Sequence, residues 1–513
     1  MDITEGAPPS PANAQARFEA LQERLVPLWH SIEQLSADEQ TIVVVPSISV
    51  DLVDTGHVPM QPYEERLLFM LLLLRQPRAR LVYVTSLPIL PSIVDYYLDL
   101  LPGVIPSQAR PRLFTVPVLD GTARPLTAKL LERPRLLARL RDLIPDETRA
   151  HLVPFNTTTL ERDLAVRLGI PMYGADPRHF AFGTKTGGRR LFADEGVPHP
   201  AGAEGLTSLD AVVDAVVDMR RTRPGISQVL VKLNEGVSGD GNALVDLSPV
   251  TDADDRPATR AAVDAMRFEA EHVTLDGFAA RFAEWGGVVE ERIQGRDFAS
   301  PSVQMRVTPL GDLELLSTHD QLLGGQDGQS YLGCVFPADP EYAPLITREA
   351  AKVGRRLARE GVIGRFALDF VVVRNAAGGW ECHAIEVNLR KGGTTHPFLT
   401  LQFLTDGVYD AETATFTAPS GAHKHFVASD RVESPAYRGL TPDDLFDIAV
   451  RHGLHFDPAR QTGIVFHMMA GLTESGRVGM TAVGESSADA QARFDQAVAV
   501  LDAEAALAAS EAD

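Results

Sequence analysis

Apolar residues follow two rhythms along this chain. Between residues 1 and 175, short runs apolar at nearly every position (TIVVV at 41–45, LVYVT at 81–85, LFTVPVL at 113–119) alternate with stretches of helical spacing. Continuous apolar runs suit strands covered on both faces, so this part predicts an α/β domain with a parallel sheet. From about Pro177 to Pro397 the strand-like runs come in pairs joined by Gly-rich turns, which predicts antiparallel hairpins and a second domain over 176–400. A third segment, 401–513, holds KHFVASD at 424–430, a helical stretch at 443–452 and GIVFHMM at 463–469. No repeat or long low-complexity linker separates the three, so they are expected to pack together as an α/β and α+β multidomain protein. The first fifteen or so residues, rich in Pro, Ala and Ser, and the last dozen, rich in Ala and Glu, are expected to fray.

Composition narrows the class. A chain of 513 residues, 44% hydrophobic and 23% charged, is long enough for more than one core. Its 69 acidic residues against 48 Lys and Arg give a net charge of -21, with no footprint for nucleic acid or an anionic membrane, so any phosphate site must be local. Cys334 and Cys382 stand far apart in no CxxC frame, which suits packed thiols better than a disulfide scaffold or zinc site. Asp2 and Glu5 do not read as the start of a signal peptide, and the run LLFMLLLL at 67–74, bounded by Arg66 and Arg75, is too short to span a bilayer. A cytoplasmic location is the expectation.

The stretch QVLVKLNEGVSGDGNALVDL at 228–247 reads as strand, Gly-rich loop, strand. Gly236, Gly239 and Gly241 allow backbone N–H groups to close over phosphate oxygens, and Lys232 on the first strand can reach the same oxygens. Rossmann and Walker motifs need a helix after the glycines and no GxxxxGK[ST] occurs; a protein kinase needs HRD and DFG, which are absent. By itself this loop is equally compatible with an ordinary hairpin turn.

The second constellation, GRFALDFVVVRNAAGGWECHAIEVNLRKGGTTHP at 364–397, places two strands around the turn AAGG. Symmetric pairing about the bond between Ala377 and Gly378 sets Asp369 opposite Glu386, with Asn388 on the same face. Leu368, Phe370 and Val372 then turn to the other face with Ile385 and Val387. Opposed carboxylates with Cβ atoms about 5 Å apart repel unless a cation joins them. Magnesium, which takes a few carboxylate or amide oxygens and completes its shell from phosphates and water, answers that need. The alternatives are a bulge that shifts the register, and a solvated acidic face; Arg390 and Lys391 beside the carboxylates count against the latter.

Together these motifs resemble the ATP-grasp superfamily, and the whole chain resembles the peptide ligases of the pheganomycin biosynthesis type, through EVNLRKGGTTHP, KHFVASD and GIVFHM. The resemblance implies an ATP-grasp fold with a pre-ATP-grasp domain at 1–175, the grasp at 176–400 with its hinge near 288–298, and a C-terminal domain at 401–513. GTKTGGRRLFADEGVPHP at 183–200 resembles the opening of the grasp, so Lys185 takes the place of its first phosphate-binding lysine and Lys232 the second, with Gly236, Ser238, Gly239 and Gly241 over the phosphates. In VVEERIQGRDF at 288–298, Glu290 would accept from the adenine amino group, the backbone of Arg292 and Ile293 would meet the adenine edge, and Asp297 would hold the ribose. Asp369, Glu386 and Asn388 match the magnesium ligands, and Arg390 the arginine that stabilises the transferring phosphoryl group. Where many relatives carry an arginine two residues before the first metal carboxylate, this chain has Ala367, and Arg365 is the nearby substitute. Without the resemblance, Lys185 and Glu290 would read as solvated surface residues.

The implied activity is an ATP- and magnesium-dependent carboxylate–amine ligase that passes through an acyl phosphate. The implied partners are a small carboxylate and an amine, an amino acid or short peptide, and a homo-oligomer is left open. An ATP-grasp kinase of small molecules and a non-catalytic nucleotide-binding regulator are the alternatives. Fourteen histidines show no HExxH spacing; His423 and His425 read as an exposed loop, and His319 as either an acceptor-pocket or a structural residue.

Overall fold

The computed structural model describes residues 11–33, 39–49, 60–236, 241–270, 272–324, 328 and 330–512. Its first sheet is parallel, in the order Leu113–Pro117, Ala79–Thr85, Gln40–Val45, Ala150–Pro154. All six residues of Gln40–Val45 are buried. Val43 and Val45 join the core on one face with Phe18, Leu126 and Leu164, while Ile42 and Val44 join the core on the other with Leu67–Leu74 side chains. That double coverage explains the unbroken apolar runs. The apolar stretch itself lies in the 3-10 helix Glu65–Arg75, and no described helix is long and apolar enough to cross a membrane.

A five-stranded antiparallel sheet follows, ordered Gly202–Leu206, Gly287–Glu291, Gln228–Leu233, Asn242–Asp246, Arg267–Phe268. Helices Leu209–Thr222 and Leu275–Trp285 cover it, Val212, Val213, Val216 and Phe278, Phe282 recurring at helical spacing in its core. The third sheet has nine strands. It runs Arg296–Ala299, Gly364–Arg374, Pro301–Val307, Leu313–Gly324, Ser330–Phe336, His425–Glu433, Arg477–Gly484, Gly463–His467, with Trp380–Asn388 also paired to Gly364–Arg374. Helix Ala343–Arg359 lays Ile346, Ala350, Val353 and Leu357 on this sheet.

Two expectations change here. His425–Glu433 pairs with Ser330–Phe336, so the unit expected at 401–513 continues the sheet of the unit before it. The last dozen residues do not fray up to Ala512: they end the helix Ser487–Ala512, which buries Ala490, Ala497, Leu501 and Ala505. Small apolar residues at spacings of four and seven give a narrow stripe that packs closely on a sheet. At the other end, residues 11–22 likewise form a helix with Phe18 fully buried, and residues 1–10 lie outside the described residues.

Candidate active site

A cleft of about 970 Å³ opens where the three sheets meet. Ile48 beyond Gln40–Val45 and Phe155 beyond Ala150–Pro154 line it, so it lies outside the carboxyl ends of the parallel strands, the usual ligand position in such sheets. From the sequence candidates it gathers Lys185, Lys232, Gly236, Gly241, Glu290, Arg292, Ile293, Asp369, Glu386, Asn388 and Arg390. Ser238 and Gly239 lie outside the described residues.

The two lysines are set by one asparagine. Thr184 caps the helix Lys185–Asp194 by accepting from Gly187 N–H. A Cβ at Gly187 would stand 1.8 Å from the Ala181 carbonyl oxygen, so the cap requires glycine there. Asn234, just past the strand bearing Lys232, accepts from Lys185 N–H through its carbonyl and from Thr186 N–H through Oδ1, at 3.2 and 3.0 Å. Glu290 is buried and the Lys185 side chain is only 9% exposed, contrary to the solvated reading. Lys185 pairs with Glu386. Glu290 receives Lys232 Nζ at 2.6 Å and Arg189 Nη1 at 3.0 Å, one cation on each oxygen. Burial opposes its charge, but Lys232 and Arg189 together hold the carboxyl below its ordinary value. Arg189, missed by sequence reasoning, is a charge partner that no motif spacing reveals.

On the opposite wall Asp369 pairs with Glu386, and Ala367 with Asn388. The turn alone does not set this register. Residues near the turn pair one position differently, Arg374 with Trp380 and Phe370 with Ala384, and a bulge at Ile385 restores the opposition of the carboxylates. The extra residue carries Ile385 to the cleft, while Leu368, Val372 and Val387 stay in the core. Burial, then the charge of Glu386, pushes the Asp369 carboxyl up; Glu386, also opposed by burial, is held ionised by Lys185, Arg390 and Lys232. Asn388 Nδ2 donates to Asp369 Oδ2 at 3.0 Å. Two carboxylates and an amide are hard oxygen donors, a set that fits magnesium. Arg390 lines the same cleft, its charge favoured by Glu386 and Asp369 and disfavoured, more strongly, by burial.

Two assigned residues stand apart from the cleft lining, and a third has its backbone N–H engaged. Asp297 does not line the cleft: it takes a left-handed conformation (φ 53°), is exposed, and accepts from Arg374 Nε at 3.0 Å, leaving its neighbours Gly295 and Phe298 on the cleft wall. Arg365 stands opposite Arg306 in the strand register and is not among the residues that line the cleft. Burial, then the Arg306 charge, draws its pKa down to about 10. Arg292 N–H is donated to the Gln228 carbonyl at 3.1 Å. His319 is fully buried among Phe336, Phe398 and Phe426 and outside the cleft. Both cysteines are buried, and Lys424, between His423 and His425, is buried and donates to the Arg460 carbonyl.

The fold and the cleft are those of an ATP-grasp protein, and the chain belongs to the ATP-grasp superfamily. It is 30% identical over 451 residues to the L-propargylglycine–L-glutamate ligase of Streptantibioticus cattleyicolor, covering 86% of this chain and 90% of that one. Residues 257–412 match the family described as IQCH-like, ATP-grasp, and residues 444–496 match the PGM1 C-terminal domain. IQ motif-containing protein H of Danio rerio is 23% identical over 453 residues; the match spans 78% of this chain and 42% of that protein. The fold recurs in the ADP complex of N5-carboxyaminoimidazole ribonucleotide synthetase (TM-score 0.51, 11% identity, 91% of this chain and 97% of that one). It recurs too in the biotin carboxylase domain of 2-oxoglutarate carboxylase from Hydrogenobacter thermophilus (TM-score 0.52, 12% identity, 89% of each chain).

Proposed function

We propose that the chain joins the carboxylate of one small molecule to the amine of another, driven by ATP and magnesium, with ADP and phosphate as products. One observation carries this reading: the opposed Asp369 and Glu386 share a cleft with Arg390 and with Lys185 and Lys232. The backbone of Arg292 and Ile293 would receive the adenine, beside Glu290. Lys185 and Lys232 would meet the phosphates, and Asp369, Glu386 and Asn388 would hold magnesium, which when bound supplies positive charge against the phosphate oxygens.

With ATP so oriented, the substrate carboxylate attacks the γ-phosphoryl group in line, forming an acyl phosphate and releasing ADP. The amine then attacks the acyl carbon. The new C–N bond forms first, and the Arg390 guanidinium stabilises the oxyanion that develops on the carbonyl oxygen; the C–O bond to phosphate then breaks, the carbonyl re-forms, and the amine proton leaves with the phosphate. An amino acid as each substrate is supported by the relative that ligates propargylglycine to glutamate. The test is a mass-spectrometric screen of amino acids and short peptides with ATP and magnesium. Coupled masses that require both a carboxylate and an amine are expected, and a phosphorylated product accumulating with no amine required would show a kinase instead.

A further inference from the structure

His396, Asp430 and His467 lie in EVNLRKGGTTHP, KHFVASD and GIVFHM; the ligase chemistry gives these three residues no role, and the fold brings them to one point. His396 comes from the first turn of helix Thr395–Thr405, Asp430 from strand His425–Glu433 and His467 from the end of strand Gly463–His467. All three are buried, at 3–4% exposure. The two Nε2 atoms are 3.0 Å apart, and Asp430 Oδ1 lies 3.0 Å from that of His396 and 2.8 Å from that of His467.

Hydrogen bonding does not account for this triangle. Each neutral imidazole offers at most one proton at Nε2, so two protons face three short edges, and each proton serves one direction. The Nε2–Nε2 contact is itself of hydrogen-bond length, but the two rings meet obliquely and not head-on. A head-on bond would hold the ring centroids about 5 Å apart, whereas they are 4.4 Å apart with the planes at 69°. The rings thus diverge from a shared point in front of both nitrogens, where a cation would meet both lone pairs and Oδ1.

The surroundings are arranged for that point. The register between His425–Glu433 and Arg477–Gly484 shifts after Ser429 and resumes at Val432, so Asp430 sits in a bulge that re-aims its side chain, and Arg477 Nε holds the Asp430 carbonyl at 2.7 Å. Opposite His467 the strand carries Gly479, where an added Cβ would stand 2.2 Å from His467 Nε2. Asp430 divides its oxygens: Oδ1 faces the histidines, and Oδ2 is paired with Arg66 Nη2 at 2.6 Å. Such an outer partner orients a ligating carboxylate and keeps it monodentate.

We propose that His396, Asp430 and His467 form a second metal site, separate from the oxygen-donor set at Asp369 and Glu386, that binds a divalent transition metal of the zinc class. Two imidazoles and one carboxylate select such an ion over magnesium, and three protein ligands leave a position for water or another ligand. Because Asp430 and Arg66 both line the main cleft, the ion also fixes the Arg66 guanidinium there. The proposal stands independently of the ligase reading.

The test uses the full chain, freed of metal by chelator and dialysis, then titrated with cobalt(II) alone in the absence of nucleotide. A single cobalt ion should bind at roughly micromolar affinity or tighter, with the visible absorption of a low-coordinate centre and a raised melting temperature. His467→Gln and Asp430→Asn should each weaken binding about 100-fold or more, while Asp369→Asn leaves it unchanged. The wild-type spectrum decides the matter even if a variant fails to fold. Only the spectrum of hydrated cobalt, or binding that survives His467→Gln but is lost in Asp369→Asn, would overturn the site.

Discussion

Replacing Glu386 by Gln removes one of two opposed carboxylates while keeping side-chain volume. In the folded chain Glu386 is held ionised beside Asp369 and pairs with Lys185, so the substitution has two opposite effects on stability. It relieves the repulsion that raises Asp369, and it strands the Lys185 ammonium. These offset to within about 2 kcal/mol, a shift of only a few degrees in Tm for a chain of this size. Metal binding has no such offset. Loss of one charged ligand from a buried site costs about 2–4 kcal/mol, or roughly 30- to 1,000-fold in affinity. The assay is ADP release against magnesium concentration at saturating ATP. Half-saturation should move up by that factor while circular dichroism and melting stay close to those of the unaltered chain. An unchanged magnesium dependence would remove Glu386 from the metal set and with it the argument from opposed carboxylates.

Lys232→Ala should weaken ATP binding about 10- to 100-fold and leave adenosine binding nearly unchanged, since one charged phosphate contact is worth about 1.5–3 kcal/mol; equal losses in calorimetry would mean that Lys232 acts only by holding Glu290. The same variant should lose stability in urea, because Glu290 then keeps only Arg189, and an unchanged midpoint would contradict the buried pairing. Burial pushes Glu65 up to about 8, with Glu64 adding to the shift, so the folded chain keeps a proton that the unfolded chain releases above about pH 4.5. Its contribution is therefore complete below that pH and is lost as pH rises through about 8, at about 1.4 kcal/mol per pH unit. Glu65→Gln should flatten the fall in Tm between about pH 5 and 8, and parallel curves for the two chains would refute the assignment.

The sequence showed most plainly what depends on local pattern. Strands at 40–45, 79–85 and 113–117 coincide with the apolar runs because both faces of that sheet are covered. The hairpin at 364–388 was legible for its alternation, yet its register could not be counted from the turn, because the bulge at Ile385 is invisible in a pattern of polar and apolar residues. Asp297 illustrates the same limit: the family resemblance implied a ribose ligand there, but it has a left-handed backbone, is exposed and pairs with Arg374. Non-local charge pairing was wholly hidden. Arg189 reaches Glu290 from about a hundred residues away, and Arg66 reaches Asp430 from the parallel-sheet region. The helix Ser487–Ala512 was misread because an Ala-rich tail with a small-residue stripe has the composition of a disordered end.

The fate of the carboxylate oxygen tests the central claim most directly. With the substrate carboxylate labelled with oxygen-18, an acyl phosphate requires that one labelled oxygen leave in inorganic phosphate while ADP forms in equal amount. The cleft built from Lys185, Lys232, Asp369, Glu386, Asn388 and Arg390 predicts that outcome. Label appearing in AMP, with pyrophosphate as the other product, would contradict γ-phosphoryl transfer even if an amide bond were still made.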